Sequence, residues 1–227
     1  MEKTLEYLTQ LELHNERSWY HAHKAEKAQA DAEFAALVQE LIFRCGQQDA
    51  DLLFRRPEEL IYRIPRDVRV WPNKPPYNPA YRAHISSGGK HGIPAGCYVS
   101  IQPGDRSCVC GGLYSPSFRE ATLMVREQIY YHAGRWEAIV NEPVFAAHFQ
   151  VLCEKLKNVP REYPPDAPCG EYLKHKSWYI VHPLTDREVL SADLGERIAG
   201  LAQIMQPFND FINEALADFR YPEENRT

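Results

Sequence analysis

The chain has 227 residues, 44% hydrophobic and 25% charged, a balance that supports a sizeable core and one domain over 1–227, with no linker to force a split. A net charge of −5 and a pI near 6.0 exclude a global basic field, so nucleic acid is an unexpected partner. Met1 to Glu6 lacks the basic and apolar regions of a secretion signal, and no apolar run approaches about eighteen residues; the expectation is a cytoplasmic protein without a membrane span.

In chain order, a helical part spans 2–46, a sheet part 60–114, and a helical and mixed part 116–219. Leu5, Leu8 and Leu11, with Tyr7, mark an amphipathic helix over 2–13. Asn15 is positioned as N-cap of a second helix starting near Arg17. Residues 25–45 carry Phe34, Leu37, Val38, Leu41, Ile42 and Cys45 on one face, a long helix ending near Gly46.

Strands are expected over 60–70, 82–87, 96–102 and 107–114. In the third, Cys97, Val99 and Ile101 alternate with Tyr98, Ser100 and Gln102. Pro103-Gly104-Asp105 joins the last two as an antiparallel hairpin. The loop from Ser86 to Gly92 could cover a cleft, but it lacks the spacing of a nucleotide cradle. Helices return over 118–133, 135–141 and 144–156, with Pro143 near a helix start. Four prolines between Val159 and Pro168 mark an extended connection, and 177–181 reads as a further strand. Residues 191–219 form a last helix, capped by Ser191 and kinked or divided at Pro207. The fold class is therefore α+β, a central, mostly antiparallel sheet flanked by N-terminal and C-terminal helices.

Six scattered cysteines read as reduced thiols. Cys108 and Cys110 share one strand face, better explained as two small apolar groups than as half a metal site. His21 and His23, two apart on a helix, point about 200° away from each other and cannot chelate from one face. No metal site and no cofactor are expected.

Chemistry concentrates in 63–77. Arg63, Arg66, Arg69 and Lys74 crowd around Asp67, with Tyr77 just beyond. Strand alternation would put Asp67 and Arg69 on one face and Arg66 with Val68 and Val70 on the other. Guanidinium groups in this density suit a carboxylate or phosphate held in a fixed fork. An ion-pair network fixing a strand edge is the structural alternative.

Four patches carry a family resemblance: Asn15-Glu16-Arg17-Ser18-Trp19; Arg63-Ile64-Pro65-Arg66-Asp67-Val68-Arg69 with Lys74 and Tyr77; Gly96-Cys97-Tyr98-Val99 with Gly111-Gly112-Leu113-Tyr114-Ser115-Pro116; and Asp166-Ala167-Pro168 with Glu171, Leu173, Lys174 and Lys176. Together they resemble a family of mostly bacterial proteins catalogued as a domain of unknown function, number 2461, over about Leu5 to Phe219. The chain departs from it at Val70-Trp71-Pro72-Asn73, where the family tends to have Phe-Ser-Lys-Asp. The resemblance implies a fold and a candidate site, and no activity.

Three functional readings follow. The first is a cleft binding an anionic or phosphorylated small molecule through Arg17, Arg63, Arg66, Arg69, Lys74, Lys174 and Lys176, which would then converge from distant parts of the chain. The second is a hydrolase- or transferase-type enzyme in the same cleft, with Asp67 or Glu171 as base and Tyr77, His84 or a lysine as proton donor. The third is a non-catalytic interaction protein with a structural ion-pair network. The first is the expectation carried forward.

Overall fold

The structure, a computed structural model, describes residues 1–66, 75–114 and 118–221. Three helices open the chain: α1 (Glu2–Leu13), α2 (Arg17–Ala22) and α3 (Lys24–Cys45). Leu5, Tyr7, Leu8 and Leu11 of α1 are buried, as their spacing requires, against the stripe of α3 that carries Phe34, Leu37, Val38, Leu41 and Ile42. Asn15 does not cap α2. Glu16 occupies the N-cap position, and the Asn15 carboxamide instead brackets the Tyr77 backbone, accepting from its N–H and donating to its carbonyl, both at 3.0 Å.

A 3₁₀ turn (Ala50–Phe54) and α4 (Pro57–Leu60) lead to the sheet. The strand expected over 60–70 is not formed in its described part. Pro57 starts a helical turn, and the Arg56 N–H donates to Glu59 Oε2 at 2.8 Å. Residues 61–66 then form isolated bridges rather than a strand, Ile61 with Ala83 and Pro65 with Tyr77. Pro65 has no N–H to continue a ladder; residues 67–70 lie outside the described residues.

The sheet strands are β1 (Tyr81–Ile85), β2 (Cys97–Ile101), β3 (Ser107–Leu113), β4 (Val151–Leu152) and β5 (Trp178–Leu184). They pair antiparallel throughout in the order β1-β2-β3-β5-β4. The β2–β3 hairpin forms as expected. Gly104 and Asp105 both take positive φ, 80° and 58°, the pairing of conformations that matches strand twist across a tight turn.

The remaining helices are α5 (Arg119–Tyr131), α6 (Ala133–Val140), α7 (Pro143–His148), α8 (Gly170–Leu173), α9 (Asp186–Val189) and α10 (Leu194–Ala215). The helix expected over 144–156 stops at His148. Phe149 turns extended and is buried, and Val151 and Leu152 pair with β5. Ser191 does not cap α10; Asp193 holds that position, and the helix runs on through Pro207.

Side chains alternate across β2 and β3. Val99, Ile101, Val109 and Leu113 are fully or almost fully buried on the inner face, which α3 and α10 cover. Phe34 of α3 lies 5.2 Å from the Tyr81 ring. A Cβ at Gly111 would meet Met205 Sδ of α10 at 2.7 Å, so a larger residue there would push that side chain aside. The next residue, Gly112, has φ +83°, and its N–H donates to the buried Asn209 carboxamide of α10 at 2.8 Å. The architecture is α+β, as the sequence indicated. Among the described residues no helix is long and apolar enough to cross a membrane.

Candidate functional site

The cations singled out in the sequence are not gathered into one cleft among the described residues. Arg66 is half-buried beside the β1 edge. Its guanidinium donates to the carbonyls of Pro75 and Tyr77, both at 3.0 Å, and to Asn78 Oδ1 at 3.1 Å. Burial, then the nearby Arg82 charge, lowers its pKa. Arg66 and Asn15 thus hold the same backbone, and Tyr77, buried, stacks on Tyr20 at 4.0 Å. Arg63 is exposed, and its carbonyl accepts from Arg82 at 3.1 Å. Arg17 is exposed at the start of α2.

Lys174 and Lys176 sit at the opposite end of the sheet. Lys174 pairs with Glu171, and Lys176 with Glu154 at 3.0 Å. With β2 and β3 between β1 and β5, the two groups are separated by about 14 Å of sheet, three strand spacings. Chain distance is no guide here, because a strand order set by inner-face packing decides which loops meet. Asp67, Arg69 and Lys74 lie outside the described residues.

The candidate acid–base groups are similarly distributed. Glu171 is an exposed carboxylate whose pKa is lowered, first by Lys174; it is ionised and weakly basic. His84, on β1, is buried. Its Nδ1 lies 3.1 Å from the Gly89 carbonyl, which can only accept, so the proton sits on Nδ1 and Nε2 is an acceptor. Burial lowers its pKa, and the ring is neutral.

Among the described residues the outer face of the sheet has no helix over it comparable to α3 and α10, and it carries polar and aromatic groups in register. Arg82 faces Ser100, His84 faces Tyr98, Tyr98 faces Cys110, and Cys110 faces Val181. Cys108 and Cys110 share this face as expected, their sulfurs 3.6 Å apart; all six cysteines are free. Arg82 lies 5.4 Å from the Tyr62 ring, beside Tyr98. Burial is the main influence on the Tyr98 phenol, which is pushed up to about 12 and stays protonated.

Two clefts open here. One, of about 490 Å³, lies on the outer face between Tyr62, His84, Tyr98, Tyr114 and Tyr179, floored by Gly111 and Gly112. The other, of about 580 Å³, lies between α5 and the β4–β5 edge and is lined by Arg119, Arg126 and Lys176 with Glu154 and Glu162. Tyr114 and Tyr179 belong to both. A larger hollow, about 710 Å³, lies beside α1 and has Glu2, Glu6, Glu26 and Asp186 against one lysine, Lys3. That sign is wrong for an anion.

Arg126 is the unexpected element. It is 6% exposed, yet no carboxylate pairs with it among the described residues. Its guanidinium donates to the carbonyls of Leu173 and His175, both at 2.8 Å, and lies 5.8 Å from the Trp178 ring. Burial lowers its pKa, although arginine remains charged. A buried cation hydrogen-bonded to backbone carbonyls and to no carboxylate among the described residues, at the wall of a cleft, leaves positive potential there. Beside it, His175 is 2% exposed, and neither ring nitrogen has a hydrogen-bond partner among the described residues. Burial, aided by the Lys155 charge, lowers its pKa to about 4.

Sequence reasoning passed over Arg126 because it treated 118–133 only as a core helix. The available signal was an arginine three residues before Ile129, on the side of the helix that carries Val125. Tyr98 and Tyr179 were readable as outward-facing strand positions. Their meeting with Tyr62 and Tyr114 was not, since the nearest ends of β3 and β5, Leu113 and Trp178, are 65 residues apart.

A family model described as a conserved hypothetical protein, DUF2461, matches residues 3–211. The match covers nearly the whole chain, and the chain belongs to that family. No curated protein and no solved structure matches it.

Proposed function

We propose that this member of the family binds an anionic or phosphorylated small molecule in the cleft between α5 and the β4–β5 edge. The observation that carries the reading is Arg126, a buried guanidinium without a carboxylate partner among the described residues, at the wall of a cleft that also presents Arg119 and Lys176. Two carboxylates, Glu154 and Glu162, oppose these three cations, so the balance favours an anion. Arg126 is already oriented by two backbone carbonyls, and little side-chain entropy is lost when a ligand meets it. Arg119 and Lys176 are exposed and supply adjustable contacts. Of the cations singled out in the sequence, Lys176 belongs to this cleft. The six free cysteines support a reducing compartment, and hence a cytoplasmic location.

Titrating phosphate or sulfate at low chloride tests the reading by thermal shift. A ligand that binds only the folded chain adds about 2.7 kcal/mol at 100 times its Kd, and added chloride should reduce the gain. The double variant Arg119→Gln, Lys176→Gln should melt at the wild-type temperature without ligand and lose the anion response. Absence of any saturable shift in the wild type would refute the reading.

A further inference from the structure

We infer that the anion this protein binds carries a planar aromatic ring, seated on the outer face of the sheet; the inference rests on the anion reading above and names the ligand class. The cationic cleft does not end at Tyr114 and Tyr179. Those two rings, edge to face at 5.4 Å and 88°, form the boundary it shares with the outer-face cleft. Tyr114 is 72% exposed, an aromatic ring held at the junction rather than in the core.

Beyond the junction the surfaces suit a flat ring. Gly112 puts no side chain on the outer face, and its positive φ and tie to Asn209 fix it as glycine. At Gly111 and Gly112 the floor of the cleft is backbone, bordered by the small Cys110 and Val181 side chains, and a planar group can lie flat there. Tyr62 and Tyr98 stand 5.9 Å apart, tilted by 56°. The Tyr62 hydroxyl is committed to the Lys90 carbonyl at 2.6 Å, so this residue offers the cleft its ring rather than a donor. Aromatic groups favour offset and edge-to-face contacts with such rings. His84 adds a further ring to the lining. An apolar, ring-lined pocket with few polar groups, continuous with a cationic one, fits an aryl or heteroaryl phosphate or carboxylate.

The test uses the full chain and three probes: inorganic phosphate, ethyl phosphate and phenyl phosphate, titrated by calorimetry and followed by ligand NMR. Phenyl phosphate should bind at least about 10-fold more tightly than ethyl phosphate, with its ring protons shifted upfield by the stacked tyrosines. Tyr114→Ala, a change at an exposed side chain, should cut that ratio below about 3-fold while ethyl phosphate binding persists. Val181→Trp, which fills the outer-face cleft, should do the same. Equal affinity for the phenyl and ethyl compounds would overturn the aromatic inference and leave the anion reading standing. Failure of all three probes to bind would overturn both. A phenyl preference unchanged in Tyr114→Ala and Val181→Trp would also overturn it, because the ring would then sit elsewhere.

Discussion

The two faces of the sheet are built from the same strands and serve different ends. On the inner face Val99, Val109 and Ile180 have no exposed surface at all, and the chain spends two glycines to bring α10 close. On the outer face most residues of β2 and β3 are half-buried, and tyrosines, thiols, Arg82 and the buried His84 replace the aliphatic side chains. An antiparallel sheet with one packed and one open face is an ordinary solution to burial. The open face here differs in holding rings in place through Arg82 and the Lys90 carbonyl instead of exposing solvated charges. Stability resides on the inner side and the proposed recognition on the outer one, a division that neighbouring residues of one strand can break or confirm.

The largest expected effect comes from β5, where Ile180 points inward and Val181 outward. Ile180→Ala should cost about 3–4 kcal/mol, the loss of a core side chain plus its cavity. Val181→Ala should cost about 1 kcal/mol or less, both read from urea denaturation. Equal losses would mean that the outer face is packed as tightly as the inner one.

Gly112→Ala comes next. The added Cβ would stand 2.3 Å from the Trp178 carbonyl oxygen, at a φ of +83°, so a loss of about 3 kcal/mol is expected from strain and forced displacement. A neutral result by the same denaturation assay would show that β3 and α10 can separate freely.

Acidification probes the packing around Trp178, against which His175 stacks at 6.4 Å. Burial lowers the His175 pKa from the ordinary histidine value, about 6.5, to about 4 on folding. The unfolded chain therefore binds more protons between those values, and stability is lost as the pH drops from about 6.5 toward 4. The loss should be about 2–3 kcal/mol at most. In His175→Phe, urea midpoints measured across that range should show a correspondingly shallower fall; an unchanged profile would assign the acid sensitivity to other groups. His84 contributes in the same direction.

The smallest effect tests the outer face alone. Tyr62→Phe removes the hydroxyl that donates to Lys90 and should cost about 1 kcal/mol. It should leave ring-dependent ligand binding almost intact. Hydrogen exchange at residues 86–92 would show whether that bond restrains the loop.

Much of the fold was legible in the sequence, and for identifiable reasons. Leu5, Leu8 and Leu11, or Cys97, Val99 and Ile101, declare their period because one face of each element must leave water. The hairpin at Gly104 declares itself through turn chemistry. Helix caps were less legible. Asn15 and Ser191 have cap-like side chains, but Asn15 is claimed by the Tyr77 backbone, and the α10 boundary falls at Asp193. Short elements failed for a similar reason: nothing local decides that 144–156 breaks at Phe149, since the pairing of Val151 and Leu152 depends on β5.

The candidate site was legible only as a chemical inventory. The sequence by itself determined that this is an α+β chain with an unusual concentration of arginine near its first strand, and that it belongs to its family. Only the tertiary structure decided which cations face a cleft. It turned Arg66 to backbone carbonyls, placed Lys176 three strand spacings along the sheet from it, and put the buried Arg126 at the wall of a cleft. Periodicity is a local property that each element enforces on itself, whereas the partner of a long, flexible cation is chosen by whichever acceptors the packed strands bring within its reach.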